Sequence, residues 1–242
     1  MSAHEETGSV LDRILAILDA VERADGSLSI TRLAAITALP KSTVSRVTTA
    51  LIEKRYLRRT DDGVALGLRL FELGARASLP LRLRTTASPV IRRLWELTGE
   101  RVGLWVNRDA EMVSIVAVPG RLPALPTRAG MRSPALTTAS GKAFLAFCDD
   151  ASVVDRVSAP LIDEEAALFR RELTDVRASA IATDSGIAYP GIIALASPVL
   201  SPEGAVIGAL SIAGPAGGLD LDEIGPLVRS AGAELTERLT AA

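Results

Sequence analysis

The chain has 242 residues and carries 27 Lys and Arg against 29 Asp and Glu, a formal net charge of −2, so any attraction to nucleic acid must come from a local patch and not from overall charge. A hydrophobic content of 48% at this length supports buried cores in two domains. The single cysteine, Cys148, and single histidine, His4, exclude an intrachain disulfide, a Cys/His zinc site and the histidine-based nucleophilic relays, and no cofactor, metal or catalytic residue is expected.

His4 stands in the polar, acidic opening MSAHEETGSV, which reads as disordered and lacks a secretory signal. Apolar runs stay below the roughly 18 residues a membrane helix needs, so a cytoplasmic protein with no membrane partner is expected. From Val10 to Glu22, the apolar residues Val10, Ile14, Ile17, Leu18 and Val21 recur at helical spacing behind Ser9, a suitable cap. Ser29 caps a second helix whose apolar rhythm is Ile30, Leu33, Ala34 and Ile36. Leu39-Pro40 ends it, because proline disfavours helical geometry in the residue before it and suits the first turn of a following helix.

That third helix, from Pro40 to Lys54, places Val44, Val47, Leu51 and Ile52 on a core face and leaves Lys41, Ser42, Thr43, Ser45 and Arg46 on an outer one. Tyr56-Leu57-Arg58-Arg59, the turn signal Asp61-Asp62-Gly63 and Val64-Ala65-Leu66 fit a short hairpin. Three helices and a hairpin in this order make a winged helix-turn-helix over residues 1–67. Within residues 41–59, Lys41, Arg46, Lys54, Arg55, Arg58 and Arg59 oppose Glu53 alone, a patch suited to releasing counterions from phosphates. Double-stranded operator DNA is the partner this implies. Lys41, Arg46, Arg58 and Arg59 are assigned to phosphates, and Ser42, Thr43 and Ser45 to positions nearer the bases.

Residues 68–84 read as a linker helix broken at Pro80; its apolar residues are too many for a lone connector, so a partner surface such as another subunit is expected. A helix from Ala87 to Thr98 follows. From Arg101 the period becomes that of strands: Arg101 to Asn107 and Glu111 to Val118, then Ile192 to Leu200 and Ala205 to Ala213, each pair around a polar turn. Helical stretches lie near Ser140 to Phe147, Ala151 to Val157, Asp163 to Ala180 and Leu221 to Leu239. Residues 85–242 thus form an α+β domain, an antiparallel sheet with flanking helices. Ala139-Ser140-Gly141-Lys142 is not a phosphate loop, since Leu136 and Ala143 stand where glycine and Ser or Thr are required. For Ser140 and Lys142, packing or ligand cradling is a better account than a nucleophile pair.

Five segments, in order and spacing, resemble the IclR family of bacterial transcriptional regulators: Leu39 to Arg46, Gly67, Thr98-Gly99-Glu100, Thr138 to Ala146, and Ala209 to Pro215. The resemblance spans nearly the whole chain. It implies a winged helix that binds operator DNA, a linker helix, a GAF-like effector domain, and homodimers that often pair into tetramers. By position in the family, the effector-binding residues are Ala139, Ser140, Gly141, Asp184, Ala194, Ser211 and Ala213. Gly141 would allow close backbone approach, and Ser140 and Ser211 would donate to an acid or carbonyl group. Thr183-Asp184-Ser185-Gly186 is equally a plain turn signal, so for Asp184 a turn role and a ligand contact stand as equal alternatives.

The chain departs from the family pattern in having Gly186 and Ile187 where an acidic pair is usual, and Ala194 and Ala213 where relatives can carry cysteine or serine. Fewer polar groups favour an aromatic or aliphatic acid over a very small dicarboxylate or oxo-acid. The leading expectation is a regulator whose operator binding is controlled by a small organic acid. The alternative is a constitutive DNA-binding regulator whose C-terminal domain only oligomerises or binds a protein. An enzyme built on the effector domain is disfavoured.

Overall fold

The computed structural model describes residues 9–24, 26–122, 125 and 128–241, so His4 and the expected disorder around it lie outside the described residues. The chain divides into two compact units at Ser78 and Leu79.

The first unit opens with α1 (Val10–Arg23), α2 (Ile30–Thr37) and α3 (Lys41–Glu53). At the start of α1 the Ser9 hydroxyl accepts from the Asp12 N–H at 3.1 Å and the Asp12 carboxylate accepts from the Ser9 N–H at 2.7 Å, a reciprocal capping box. Ser29 caps α2 by accepting from the Arg32 N–H at 3.3 Å. Ala38, left-handed at φ 55°, ends α2, and Leu39-Pro40 lead directly into α3. Ile17, Val21, Leu33, Val44, Leu51, Leu57 and Val64 close the core.

The wing is β1 (Leu57–Thr60) paired antiparallel with β2 (Gly63–Leu66) around Asp61-Asp62. Leu28 and Val64 exchange N–H to carbonyl bonds of 2.9 Å each, which ties the wing to the segment before α2. Gly63 makes this possible: its φ is 146°, and a Cβ there would lie 2.2 Å from the Leu28 carbonyl oxygen.

After the wing come α4 (Leu68–Gly74) and α5 (Ser78–Thr98). The helix break expected at Pro80 instead falls at residues 75–77. Pro80 sits in the first turn of α5, where a missing N–H removes no helical hydrogen bond. The helix expected from Ala87 is therefore the second half of α5, which continues through Pro89. Leu68, Phe71 and Leu73 of α4 are exposed.

The second unit is an α+β domain. Its strands are β3 (Arg101–Arg108), β4 (Glu111–Val118), β5 (Arg132–Pro134), β6 (Ala182–Asp184), β7 (Ile192–Leu200) and β8 (Val206–Pro215), in the fully antiparallel order β5-β4-β3-β8-β7-β6. The two three-residue strands, β5 and β6, are too short to show a period in sequence. The helices are α5, α6 (Ala139–Leu145), α7 (Ala151–Ser158), α8 (Asp163–Ser179) and α9 (Leu221–Thr240). Leu195, Leu210 and Ile212 pack on one face with Leu83, Ile91, Val228 and Leu235 from α5 and α9. Ala196 and Ala209 face the other side, with Trp105, Ala139, Ala143, Phe169 and Leu173. The alternation of large and small residues along β7 and β8 leaves room on this second face for α6 and for a cavity.

Candidate functional site

In the first unit, Lys41, Ser42, Ser45 and Arg46 are exposed on α3, and Arg58 and Arg59 are exposed on β1. None of the four cations forms an ion pair among the described residues. Thr43 corrects the expectation for it: it is 9% exposed and turns inward. It stands four residues before Val47 and eight before Leu51, so the helical period carries it to the core flank. The exposed polar face at the start of α3 is therefore Lys41, Ser42, Ser45 and Arg46.

In the second unit, register builds the site. Arg101 of β3 lies opposite Ala213 of β8, Ala213 opposite Ala194 of β7, and Ala194 opposite Asp184 of β6. With strands about 4.8 Å apart, the ends of this row are roughly 14 Å apart along the sheet. The next row is Gly103, Ser211, Ala196 and Ala182. Ala139, Ser140, Asp184, Ala194, Ser211 and Ala213 all line one cavity on this face, which Arg101, Trp105, Tyr189 and Ile192 complete with Leu125, Ser133 and Thr138. The cavity has a volume of about 30 Å³.

Thr138 holds the helix end over this cavity. Its hydroxyl accepts from the Gly141 N–H at 3.2 Å and donates to the Pro134 carbonyl at 2.7 Å, and Ser140 Oγ donates to it at 3.4 Å. Gly141 does not line the cavity. A Cβ there would lie 2.0 Å from the Ala135 carbonyl oxygen, so glycine at this position lets α6 close on the chain before it. Lys142 donates to Glu172 Oε1 at 2.6 Å and to the Thr183 carbonyl at 3.0 Å. It pins β6, and with it Asp184, to α6 and α8, and is not placed as a base for Ser140.

Asp184 serves the turn and also reaches the cavity. Its Oδ1 accepts from the N–H groups of Gly186, Ile187 and Ala188 at 3.1, 2.8 and 3.4 Å, leaving Oδ2 without a protein donor among the described residues. Ser211 Oγ accepts from Trp105 Nε1 at 2.9 Å, so its own hydrogen is free to donate.

Sequence reasoning missed Arg101, Trp105 and Tyr189. Arg101 is 8% exposed, its guanidinium lies 5.1 Å from the centre of the Trp105 ring, and its Nε and Nη2 have no hydrogen-bond partner among the described residues. The neighbouring Glu100 forms no ion pair with it: Glu100 Oε1 is bound by Arg121, and its buried Oε2 has no partner among the described residues. Burial pulls the Arg101 guanidinium below its ordinary pKa, and Tyr189 partly opposes the shift. The available signal was the alternation Arg101, Gly103, Trp105 against Val102, Leu104, which puts the arginine on the small-residue face; that face becomes visible only once β3 is paired with β8.

Comparison with known proteins agrees with this architecture over almost the full length. The chain matches the family model of the IclR helix-turn-helix domain over residues 10–61 and that of the bacterial transcriptional regulator IclR C-terminal domain over residues 77–235. It is 26% identical to the HTH-type transcriptional repressor AllR of Klebsiella pneumoniae, covering 97% of this chain and 91% of that protein. It is 27% identical to the transcriptional repressor IclR of Escherichia coli strain K12, over 95% and 90%. Among solved structures, an IclR homolog from Microbacterium hydrocarbonoxydans complexed with 4-hydroxybenzoate superposes with a TM-score of 0.86 at 26% identity, covering 97% of this chain and all of that one. The curated relatives are transcriptional regulators and not enzymes. With matched models over both units, the chain belongs to the IclR family of bacterial transcriptional regulators.

Proposed function

We propose that the protein binds operator DNA as a homodimer, in the cytoplasm, and that a small organic acid held in the cavity of the second unit controls this binding. The observation that carries the reading is the convergence of Ala139, Ser140, Asp184, Ala194, Ser211 and Ala213, from α6, β6, β7 and β8, on one cavity. Small apolar residues form its floor and a few polar groups stand at its ends, the composition of a site that orients a compact ligand. The similar IclR homolog with 4-hydroxybenzoate supports an effector of this kind.

On the DNA side, Lys41, Arg46, Arg58 and Arg59 bind phosphates while Ser42 and Ser45 approach base edges. The exposed Leu68, Phe71 and Leu73 of α4 support pairing with a second copy, whose reading head takes the other half-site. An effector that prefers one arrangement of the pair shifts its population, and with it the spacing of the heads. Among the described residues no helix is long and apolar enough to cross a membrane.

The small volume of the cavity favours a second reading, in which the domain only oligomerises or binds a protein and DNA binding is constitutive. A thermal-shift screen of aromatic, aliphatic and keto acids separates the two, since a ligand that prefers the folded state raises the melting temperature. We expect aromatic or aliphatic monocarboxylates to stabilise the protein and to change its affinity for operator DNA in fluorescence anisotropy. Stabilisation by glyoxylate-sized acids alone would remove the size argument, and a flat response across the panel would favour the constitutive reading.

A further inference from the structure

We infer that Arg101 is the carboxylate anchor of the cavity, so that an acid ligand lies along the row Arg101, Ala213, Ala194 and Asp184 with its carboxylate at β3 and a hydrogen-bond donor at its opposite end. The inference rests on the ligand-controlled reading above and adds to it a residue, a charge and an orientation.

A guanidinium is a strong, fork-shaped set of donors, and a buried polar group left without an acceptor is costly. Arg101 is in that position: more than nine-tenths buried, lining the cavity, with Nε and Nη2 unpartnered among the described residues. Its face-on contact with Trp105 compensates the charge but satisfies no N–H. A planar carboxylate supplies two acceptor oxygens in the geometry the fork requires. Among the described residues no carboxylate of the protein forms an ion pair with Arg101: Glu100 is bound by Arg121, and Asp184 stands three strands away in the same row.

The other end of the row has the opposite character. Asp184 Oδ1 is committed to three backbone N–H groups, and Oδ2, on a residue that lines the cavity, has no protein donor among the described residues. A negative group at that end is repelled and a hydroxyl or amide N–H is welcomed. Between the ends lie only the methyl groups of Ala213 and Ala194, bordered by Trp105 and Ile192, a floor for a flat apolar body. A dicarboxylate spanning the row puts one charge against Asp184, so the site selects monoanions.

The test is isothermal titration calorimetry on the full-length protein with benzoate, 4-hydroxybenzoate and 4-hydroxybenzamide, against Arg101→Lys, Arg101→Met and Ser211→Ala. For the unmodified protein we expect both acids to bind more tightly than the amide, and 4-hydroxybenzoate more tightly than benzoate. Arg101→Met should lose about tenfold to a hundredfold in acid affinity, the scale of one charge-assisted pair, and keep its amide affinity. Arg101→Lys should recover part of the loss, and Ser211→Ala should weaken acid and amide alike. Without ligand, Arg101→Met should melt at or above the temperature of the unmodified protein, since it removes an unpaired buried charge, and this also reports that the variant folds. Equal acid affinity in the protein and in Arg101→Met would sink the assignment of Arg101 and leave effector control standing. If the unmodified protein binds none of the three compounds, the anchor and the acid reading fall together.

Discussion

On the proposed function, the two units solve recognition in opposite ways. In the winged helix the proposed DNA contacts sit within residues 41–59, on the surface, as cations with no ion pair among the described residues, beside hydroxyls. In the second unit the cavity residues come from residues 101 to 213, four strands and a helix end, and most are buried. An exposed site facing a polyanion needs charge density and a helix pointing the right way, both local properties. A buried site facing one small molecule needs a register, because only strand pairing brings Arg101, Ala213, Ala194 and Asp184 into one row. The first kind tolerates imprecise positioning, whereas in the second a shift of one residue turns every side chain to the other face.

That contrast predicts where the molecule breaks. Gly141→Val should be the most damaging of the substitutions considered, costing about 3 kcal/mol, the upper end for overpacking, because its Cβ would collide with the Ala135 backbone at 2.0 Å. Urea unfolding followed by circular dichroism measures this. A loss below about 0.5 kcal/mol would show that the chain around Ala135 yields and that the α6 end is less fixed than the register implies.

Two helix caps compare the units at lower cost. Thr138→Ala removes the cap of α6 together with a donor to Pro134 and the acceptor for Ser140, and should cost about 2 kcal/mol; Ser29→Ala removes a single bond to Arg32 and should cost about 1 kcal/mol. The same unfolding experiment reads both. Equal costs would mean that the extra bonds of Thr138 contribute nothing beyond capping.

The difference between the units also explains what could be read from sequence. Ser9, Ser29, Pro40 and the Asp61-Asp62-Gly63 turn are local signals, and the helices and wing formed where those signals placed them. Thr43 was misplaced because a residue type that suits a DNA face also suits a half-polar core flank, and only its phase relative to Val47 and Leu51 decides. Pro80 was misread as a stop because first-turn proline and helix-ending proline look alike until the helix start is known. In the cavity, six positions taken from the family resemblance converge, yet Arg101 was passed over, since an arginine heading a strand reads as solvent-facing until β8 is laid beside it.

Arg46→Ala tests the surface site. It should weaken DNA binding about tenfold for specific and nonspecific sequences alike and lower the slope of log affinity against log salt by about one unit, with little change in stability. Fluorescence anisotropy across a salt series gives both numbers. Acid binding in the second unit should respond far less to the same salt series, because a buried pair is poorly screened. Parallel salt slopes for DNA and acid would mean that the acid binds on the surface and not in the cavity.

The smallest effect is set by two exposed carboxylates, one in each unit. Asp12 is held below the usual carboxylate range by hydrogen bonds with Ser9, and Asp150, the cap of α7, by hydrogen bonds with Ser152. A depressed folded-state pKa means that the unfolded chain binds more protons, so stability rises with pH through this region. Each contribution is fully present above about pH 4, near the ordinary aspartate value, and is lost as pH falls through the lower folded-state value. Asn keeps an acceptor oxygen at either position but does not titrate. Asp12→Asn and Asp150→Asn should therefore melt near the unmodified protein at neutral pH and lose less stability on acidification below pH 4, as melting curves over a pH series would record. An unchanged acid slope in Asp12→Asn with a reduced one in Asp150→Asn would mean that the α7 cap and not the α1 cap contributes to acid sensitivity, and the reverse pattern would single out the α1 cap.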